Sequence, residues 1–133
     1  MKIKDLLQNK KVTFSCAIFP PKAGADMSRM DEIIREIAAL HPDFISVTYG
    51  AGGSTSKRTV EIASKIQDTY GIPAMAHLTC VSSTKEEVVT MLDRIEENHI
   101  ENILALRGDI PQDMDFPSPR HYRYACELIQ DIR

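Results

Sequence analysis

No stretch of the sequence approaches the roughly 20 consecutive apolar residues that a membrane-spanning helix needs, and none is low in complexity. The first residues, MKIKDLLQNKK, are charged throughout and lack the apolar segment of a secretory signal. They read instead as a short amphipathic helix with Ile3, Leu6 and Leu7 on one face. No C-x-x-C pair occurs: the three cysteines, Cys16, Cys80 and Cys126, are odd in number and far apart. That spacing argues against zinc and redox motifs and predicts reduced thiols in a cytoplasmic protein. The histidines form no H-x-x-x-H pair, so no metal site is expected. A basic excess is missing too: the net charge is −3 with no basic stripe, which argues against a nucleic-acid partner. What remains, 43% hydrophobic and 26% charged over 133 residues, is the composition of one soluble globular domain.

Residues 11–22, KVTFSCAIFPPK, open the pattern. Val12, Phe14 and Cys16 alternate with Thr13, Ser15 and Ala17 as in a β-strand. Pro20-Pro21 then forbids further pairing. A buried strand that stops at a rigid corner presents its last side chains at the sheet's edge, where α/β proteins place chemistry. One of them, Ala17, brings none. Met30, Ile33, Ile34, Ile37 and Leu40 recur at helical spacing, with Ser28 and Asp31 resembling a capping box and Pro42 as the stop. Residues 43–49, DFISVTY, predict a second strand, followed by the flexible loop GAGGST and a helix over about 54–70. Val60, Ala63, Ile66 and Gln67 mark the inward side of that helix, and Gly71 with Pro73 ends it.

Residues 74–79, AMAHLT, predict a third strand, and the run from Thr84 to Glu87 is a capping box opening a third helix. Val88, Met91, Leu92 and Ile95 face inward there, and Asn98-His99 ends the helix. Residues 102–106, NILAL, predict a fourth strand. After a proline-bearing loop, Tyr124, Leu128 and Ile132 at i, i+4 and i+8 predict a last helix from about residue 120. Strand and helix thus alternate four times, which implies a parallel sheet with right-handed crossovers. Two architectures fit: a small open doubly wound sheet, or half of an eight-fold barrel.

In either, ligands bind beyond the carboxyl ends of the strands. Those ends supply Ala17 to Lys22, then Thr48-Tyr49-Gly50, His77-Leu78-Thr79 and Arg107-Gly108-Asp109, so Thr48, His77, Arg107 and Asp109 converge on one rim. Each also has a plainer reading. His77 suits a hydrogen-bonded interior histidine, Thr48 an ordinary strand residue, and Arg107 with Asp109 a mutual ion pair. The glycines of Gly50-Ala51-Gly52-Gly53 could cradle a phosphate but match neither G-x-G-x-x-G nor a P-loop, which favours a mobile loop. Tyr124 reads on spacing alone as helix packing.

Taken together, FSCAIFPPK, FISVTYGAGGS, AHLTC, ILALRGD and YRYACELI resemble the methylenetetrahydrofolate reductase family, in its order and spacing and over essentially the whole chain. The resemblance implies an α/β fold of four consecutive βα units, the first half of a (β/α)8 TIM barrel. It also implies a flavoprotein of one-carbon metabolism and methionine biosynthesis. In it, non-covalent FAD passes hydride from NAD(P)H to methylenetetrahydrofolate, giving methyltetrahydrofolate. Residue by residue, it puts Thr48 and Tyr49 near the flavin and the stacked nicotinamide, and His77 on the FAD. Arg107, Gly108 and Asp109 would lie along the isoalloxazine and its phosphate-linked tail. Asp109 would also face the folate pterin, where its charge favours a cationic iminium substrate. Tyr124 and Ala125 match a Tyr-Ala pair that lies against the cofactor.

Two departures from the family pattern stand out. The glutamate that serves the family as general acid, two residues before Phe-Pro-Pro here counted as Ala17-Ile18-Phe19, is replaced by Ala17, and a methyl group cannot protonate a folate nitrogen. The folate half-reaction is therefore expected to be impaired. The second is length: four βα units over 1–133 amount to a partial barrel domain, expected to continue beyond the chain end in a full-length protein. Such a half would leave its first and fourth strands as open edges. It would then pair as a homo-oligomer or with a second half-barrel chain. The different-class alternatives are a non-catalytic half-barrel that pairs through those edges, and a stand-alone domain binding another phosphorylated ligand at the Gly50 loop.

Overall fold

The computed structural model describes residues 1–22, 24–49 and 53–133, the side chains of 53–56 excepted. The Gly50-Ala51-Gly52 part of the proposed phosphate loop lies outside the described residues. The elements follow as α1 (Ile3–Asn9), β1 (Ser15–Ile18), α2 (Ser28–Ala38), β2 (Phe44–Val47), α3 (Gly53–Tyr70), β3 (Ala74–Thr79), α4 (Lys85–Glu97), β4 (Asn102–Leu106) and α5 (Ala125–Ile132). The strands form one parallel sheet in the order β1-β2-β3-β4. Each strand is added on the same side of the last, so right-handed crossovers leave the connecting helices on one face. A doubly wound sheet reverses its strand order at a switch point; this one does not. The architecture is that of the first half of a TIM barrel. Among the described residues, no helix is long and apolar enough to cross a membrane.

Strand alternation divides the sheet into two unlike faces. One carries Ile18, Ile45, Val47, Ala74, Ala76 and Leu78, all buried beneath Ile34 of α2, Ile62 and Ile66 of α3, Val88 and Ile95 of α4 and Leu128 of α5. Burying each of the larger side chains contributes about 1.5–3 kcal/mol. The other face carries Ala17, Ser46, Met75, His77, Thr79, Leu104 and Leu106, and both leucines are exposed. Phe19, just past β1 on the same side, is 74% exposed.

The amino-terminal segment crosses the far ends of these strands. The side-chain oxygen of Asn102 accepts from Ile3 N at 2.8 Å, and its amide nitrogen donates to the carbonyls of Met1 at 3.0 Å and Ala74 at 3.2 Å. The terminal ammonium pairs with Glu101, and Lys10 at the other end of α1 pairs with Asp43. Ile3 is buried and Leu6 half-buried, whereas Leu7, expected on the same face, is exposed. The contact of this seven-residue helix is confined to its Ile3–Leu6 side.

Other expectations are corrected by hydrogen bonding. Pairing in β1 begins at Ser15 rather than Val12, because β2 begins at Phe44, opposite Ser15. Just before it, Phe14 N donates to the Asp43 carboxylate at 2.9 Å and Asp43 N donates to Phe14 O at 2.7 Å. Val12, with no partner strand, is 82% exposed. Helix α2 has no capping box: Ser28 N and Oγ donate to the Asp26 carboxylate at 2.9 and 2.7 Å, an Asx turn that holds the Asp26 carboxyl below its ordinary range. Met30 and Ile34 are buried as expected, but Ile33 and Leu40 are exposed, the latter because α2 ends at Ala38. By contrast β3, β4 and the Thr84–Glu87 capping box stand as the pattern predicts.

Helix α5 starts at Ala125, not near residue 120, because the loop before it is tied to α4: Lys85 N donates to Arg120 O at 2.8 Å. The core place expected for Tyr124 is taken by Tyr122. Its hydroxyl donates to Asp131 Oδ2 at 2.6 Å, and Lys85 Nζ stands 5.2 Å from its ring centre. Burial first, and then the bond to Asp131, push the phenol up to about 12. A raised folded-state value means that the unfolded chain ionises first. Stability is therefore intact below pH ~10 and falls as pH rises toward about 12, by at most ~1.4 kcal/mol per pH unit. Urea titrations from pH 9 to 12 should show a shallower decline for Tyr122→Phe; parallel curves would refute the linkage.

Candidate active site

The carboxyl ends of the four strands lie at one end of the sheet, and its open face carries three of the expected rim residues. Ala17 stands exposed in a row with Ser46, Met75 and Asn102. Continuing the register by one residue sets Phe19, Thr48, His77 and Leu104 in the next row on this side, two residues or about 6.6 Å nearer the rim. Cys16 turns to the helix side, and Ser15 sits farther from the rim than Ala17. None of the four side chains of β1 is an acid.

Thr48 is held through its backbone. Its amide donates to Ile18 O at 2.9 Å, and its carbonyl accepts from Thr59 Oγ1 of α3 at 2.9 Å. His77 is half-buried, and burial lowers its pKa, so the imidazole is neutral at pH 7. It offers one donor and one acceptor without adding charge to the face.

After β4 the chain keeps pairing with β3. Cys80 N donates to Leu106 O at 3.0 Å, Val81 N to Arg107 O at 3.1 Å, and the Cys80 thiol, pushed up by burial, also points at Arg107 O at 3.7 Å. Gly108 follows at φ +78°, and a Cβ there would lie 3.1 Å from Thr79 Cβ. Only glycine fits both the angle and the approach. Arg107 and Asp109 are exposed on either side of it, and among the described residues no ion pair joins them. The Arg107 Nε donates to Gly108 O at 3.3 Å instead. The guanidinium and the carboxylate thus remain available at the rim.

Two other expected residues stand elsewhere. The Tyr49 side chain packs against the helix-side core, its hydroxyl 3.4 Å from Ser83 Oγ. Tyr124 is the N-cap of α5, 55% exposed, with Ala125 opening the helix. The residue that pattern reading misses is Arg58 of α3. Its Nη1 donates to Pro21 O at 3.1 Å and Lys22 O at 2.7 Å, and its Nη2 to Ala25 O at 3.2 Å. One guanidinium therefore fastens the segment after the Pro-Pro corner, and helical periodicity gives no sign of it. Arg58→Ala should cost roughly 1–3 kcal/mol in a urea titration and free the corner of β1. Unchanged stability together with unchanged amide exchange at Lys22 and Ala25 would discount the clamp.

A family profile described as methylenetetrahydrofolate reductase matches residues 2–133. The Arabidopsis thaliana protein named methylenetetrahydrofolate reductase (NADH) 1 is 37% identical over 134 residues, which cover 99% of this chain and 23% of that protein. Methylenetetrahydrofolate reductase 1 of Schizosaccharomyces pombe is also 37% identical, over all of this chain and 23% of its own length. The Escherichia coli 5,10-methylenetetrahydrofolate reductase is 34% identical over 90% of this chain and 39% of its own length. The chain thus spans about a quarter of its plant and yeast relatives and two-fifths of the bacterial one. With a match that runs from the second residue to the last, the chain belongs to the methylenetetrahydrofolate reductase family.

Proposed function

We propose that this chain supplies the first four βα units of an FAD-dependent barrel that reduces 5,10-methylenetetrahydrofolate to 5-methyltetrahydrofolate with NAD(P)H, and that the folate half-reaction is impaired. The observation that carries the reading is the exposed methyl of Ala17, on the same open face as Thr48 and His77.

The residues present suit the cofactor. The row of Thr48, His77 and Leu104 is uncharged, so a planar ring system can lie on it without burying an unpaired charge. When bound, FAD supplies the relay of hydride from NAD(P)H to the folate. His77 would hydrogen-bond the ring's edge as a neutral imidazole. Arg107, always a cation, would meet the phosphate-linked tail. Gly108 keeps the backbone low enough beside Thr79 to leave the ring its space. Asp109 would hold a negative charge by the pterin, favouring a cationic iminium form of the substrate. Tyr124 and Ala125 would lie against the cofactor. Tyr49 would contribute through its backbone, since its hydroxyl lies beside Ser83.

Opening the imidazolidine ring of the folate requires a proton at a ring nitrogen, and position 17 is where this chain would deliver it. Alanine has none to give. The test separates the half-reactions in an enzyme whose barrel is complete. NAD(P)H should bleach the flavin absorbance at an ordinary rate, and methylenetetrahydrofolate should restore it far more slowly. Equally fast bleaching and recovery would contradict the assignment of position 17.

A second reading is favoured by exposed Phe19, Leu104 and Leu106 on the uncovered face between the outer strands β1 and β4. It is a non-catalytic half-barrel that pairs with another chain, a second copy or a different half. Sedimentation of the chain should then give a dimer or larger. A monomer at all concentrations would exclude self-pairing.

A further inference from the structure

A cleft of about 220 Å³ opens between α3 and α4, on the helix side of the sheet and away from the face of Ala17, Thr48 and His77. Its polar lining is Tyr49, Lys57, Ser83, Glu87, Thr90 and Arg94, with Met91 the apolar one. Among the described residues, neither Lys57 nor Arg94 has a carboxylate partner. The one acid, Glu87, is committed to the start of α4: it accepts from Thr84 N at 2.8 Å, while its own amide donates to Thr84 Oγ1 at 3.2 Å. Its charge is thereby offset by the helix end that it caps.

The hydroxyls carry the second half of the argument. Tyr49 and Ser83 stand 3.4 Å apart, well beyond the roughly 2.7–2.8 Å usual for O–H···O bonds. Ser83 is nevertheless only 7% exposed. Leaving a buried hydroxyl with so poor a partner costs free energy unless a third oxygen accepts from it. Among the described residues, two cations without a carboxylate partner and two loosely bonded hydroxyls thus line this open cleft, which has room for a phosphate group.

We propose that this cleft is an oxyanion site for the phosphate of a small molecule, with Lys57 and Arg94 neutralising its charge and the Tyr49 and Ser83 hydroxyls donating to its oxygens. Tyr49 directly follows Thr48, so an anion held there braces the end of β2 from the side opposite the open face.

Inorganic phosphate is the probe. Titrated into the chain and followed by amide chemical shifts, it should bind saturably at one site. The shifts should concentrate at Lys57, Ser83 and Arg94, and the affinity should weaken as salt rises. The double substitution Lys57→Gln with Arg94→Gln should weaken binding by about tenfold or more, and Arg94→Lys should weaken it less than Arg94→Gln, because charge without the planar fork is only part of the site. Acetate, a flat monoanion, should bind more weakly than phosphate. Unsaturable shifts, or equal affinity in the parent and the double variant, would overturn the proposal, as would acetate binding as tightly as phosphate. None of these readouts depends on flavin or folate, so the result is independent of the reading at position 17.

Discussion

Replacing Ala17 by glutamate is expected to raise the rate of methylenetetrahydrofolate reduction roughly 10²–10⁴-fold in an enzyme with a complete barrel, the range a positioned general acid contributes. The substitution is sterically undemanding, because Ala17 is exposed and its neighbour across β2 is the small Ser46. A carboxyl group there would lie about 6.6 Å below the row of Thr48 and His77. To serve as an acid near neutral pH it must keep its proton. Covering the open face with the remaining strands would provide for that, since burial raises a carboxyl pKa. Two readouts make the prediction specific. The nicotinamide half-reaction should be unaffected, because it needs no proton donor at this position. Ala17→Gln, equal in length and unable to give up a proton, should bring no gain. Stopped-flow recovery of flavin absorbance that is the same for Ala17, Gln and Glu would remove position 17 from the mechanism.

Gly108→Ala should destabilise the fold by roughly 2–5 kcal/mol. A left-handed backbone costs a non-glycine residue about 1–2 kcal/mol, and forcing a methyl into close packing costs about 1–3 kcal/mol more. Both apply here, since Gly108 has φ +78° and its new Cβ would sit 3.1 Å from Thr79 Cβ and 3.3 Å from Thr79 Cγ2. Gly71 is the internal control. It has φ +63° with nothing within 4 Å of an added Cβ, so Gly71→Ala should cost only the backbone strain, about 1–2 kcal/mol. The difference between the two urea midpoints measures the contact between the β4 exit and β3. Equal losses would mean that Thr79 yields and that the approach is not tight.

How much of this was legible in the sequence depends on what holds each element. Strands β3 and β4 and helix α4 are specified locally, by strand-forming residues, by helical spacing and by the Thr84–Glu87 box, and they appear where their residues predict. The start of β1 is specified by its partner, because Val12 and Phe14 alternate as a strand should, but below Phe44 only Asp43 bonds across, to Phe14, and Val12 meets no strand. The capping box expected at α2 does not form because Asp26, two residues upstream, accepts from both the Ser28 amide, which Asp31 would otherwise take, and the Ser28 hydroxyl. Tyr124 and Tyr122 both precede Leu128, and it is Tyr122 that enters the core, with its hydroxyl bonded to Asp131 and the loop before it tied to α4 through Lys85 and Arg120. At the rim, the βα order gathers the strand ends that carry Thr48, His77, Arg107 and Asp109, and the register adds that Ala17, Thr48 and His77 share one face. Alternation could not reveal Arg58, whose three bonds go to backbone carbonyls that no sequence pattern marks.

The tether at Asn102 has a kinetic consequence. Helix α1 has seven residues, too few to persist alone in water. Its contacts with Asn102 and Glu101 span about a hundred residues. The chain must therefore bring β4 against β3 before the start of α1 can reach its contacts at Glu101 and Asn102, and closing so long a loop makes that docking a late event. Amide exchange in α1 consequently reports, from the opposite end of the sequence, whether the fourth strand is in place.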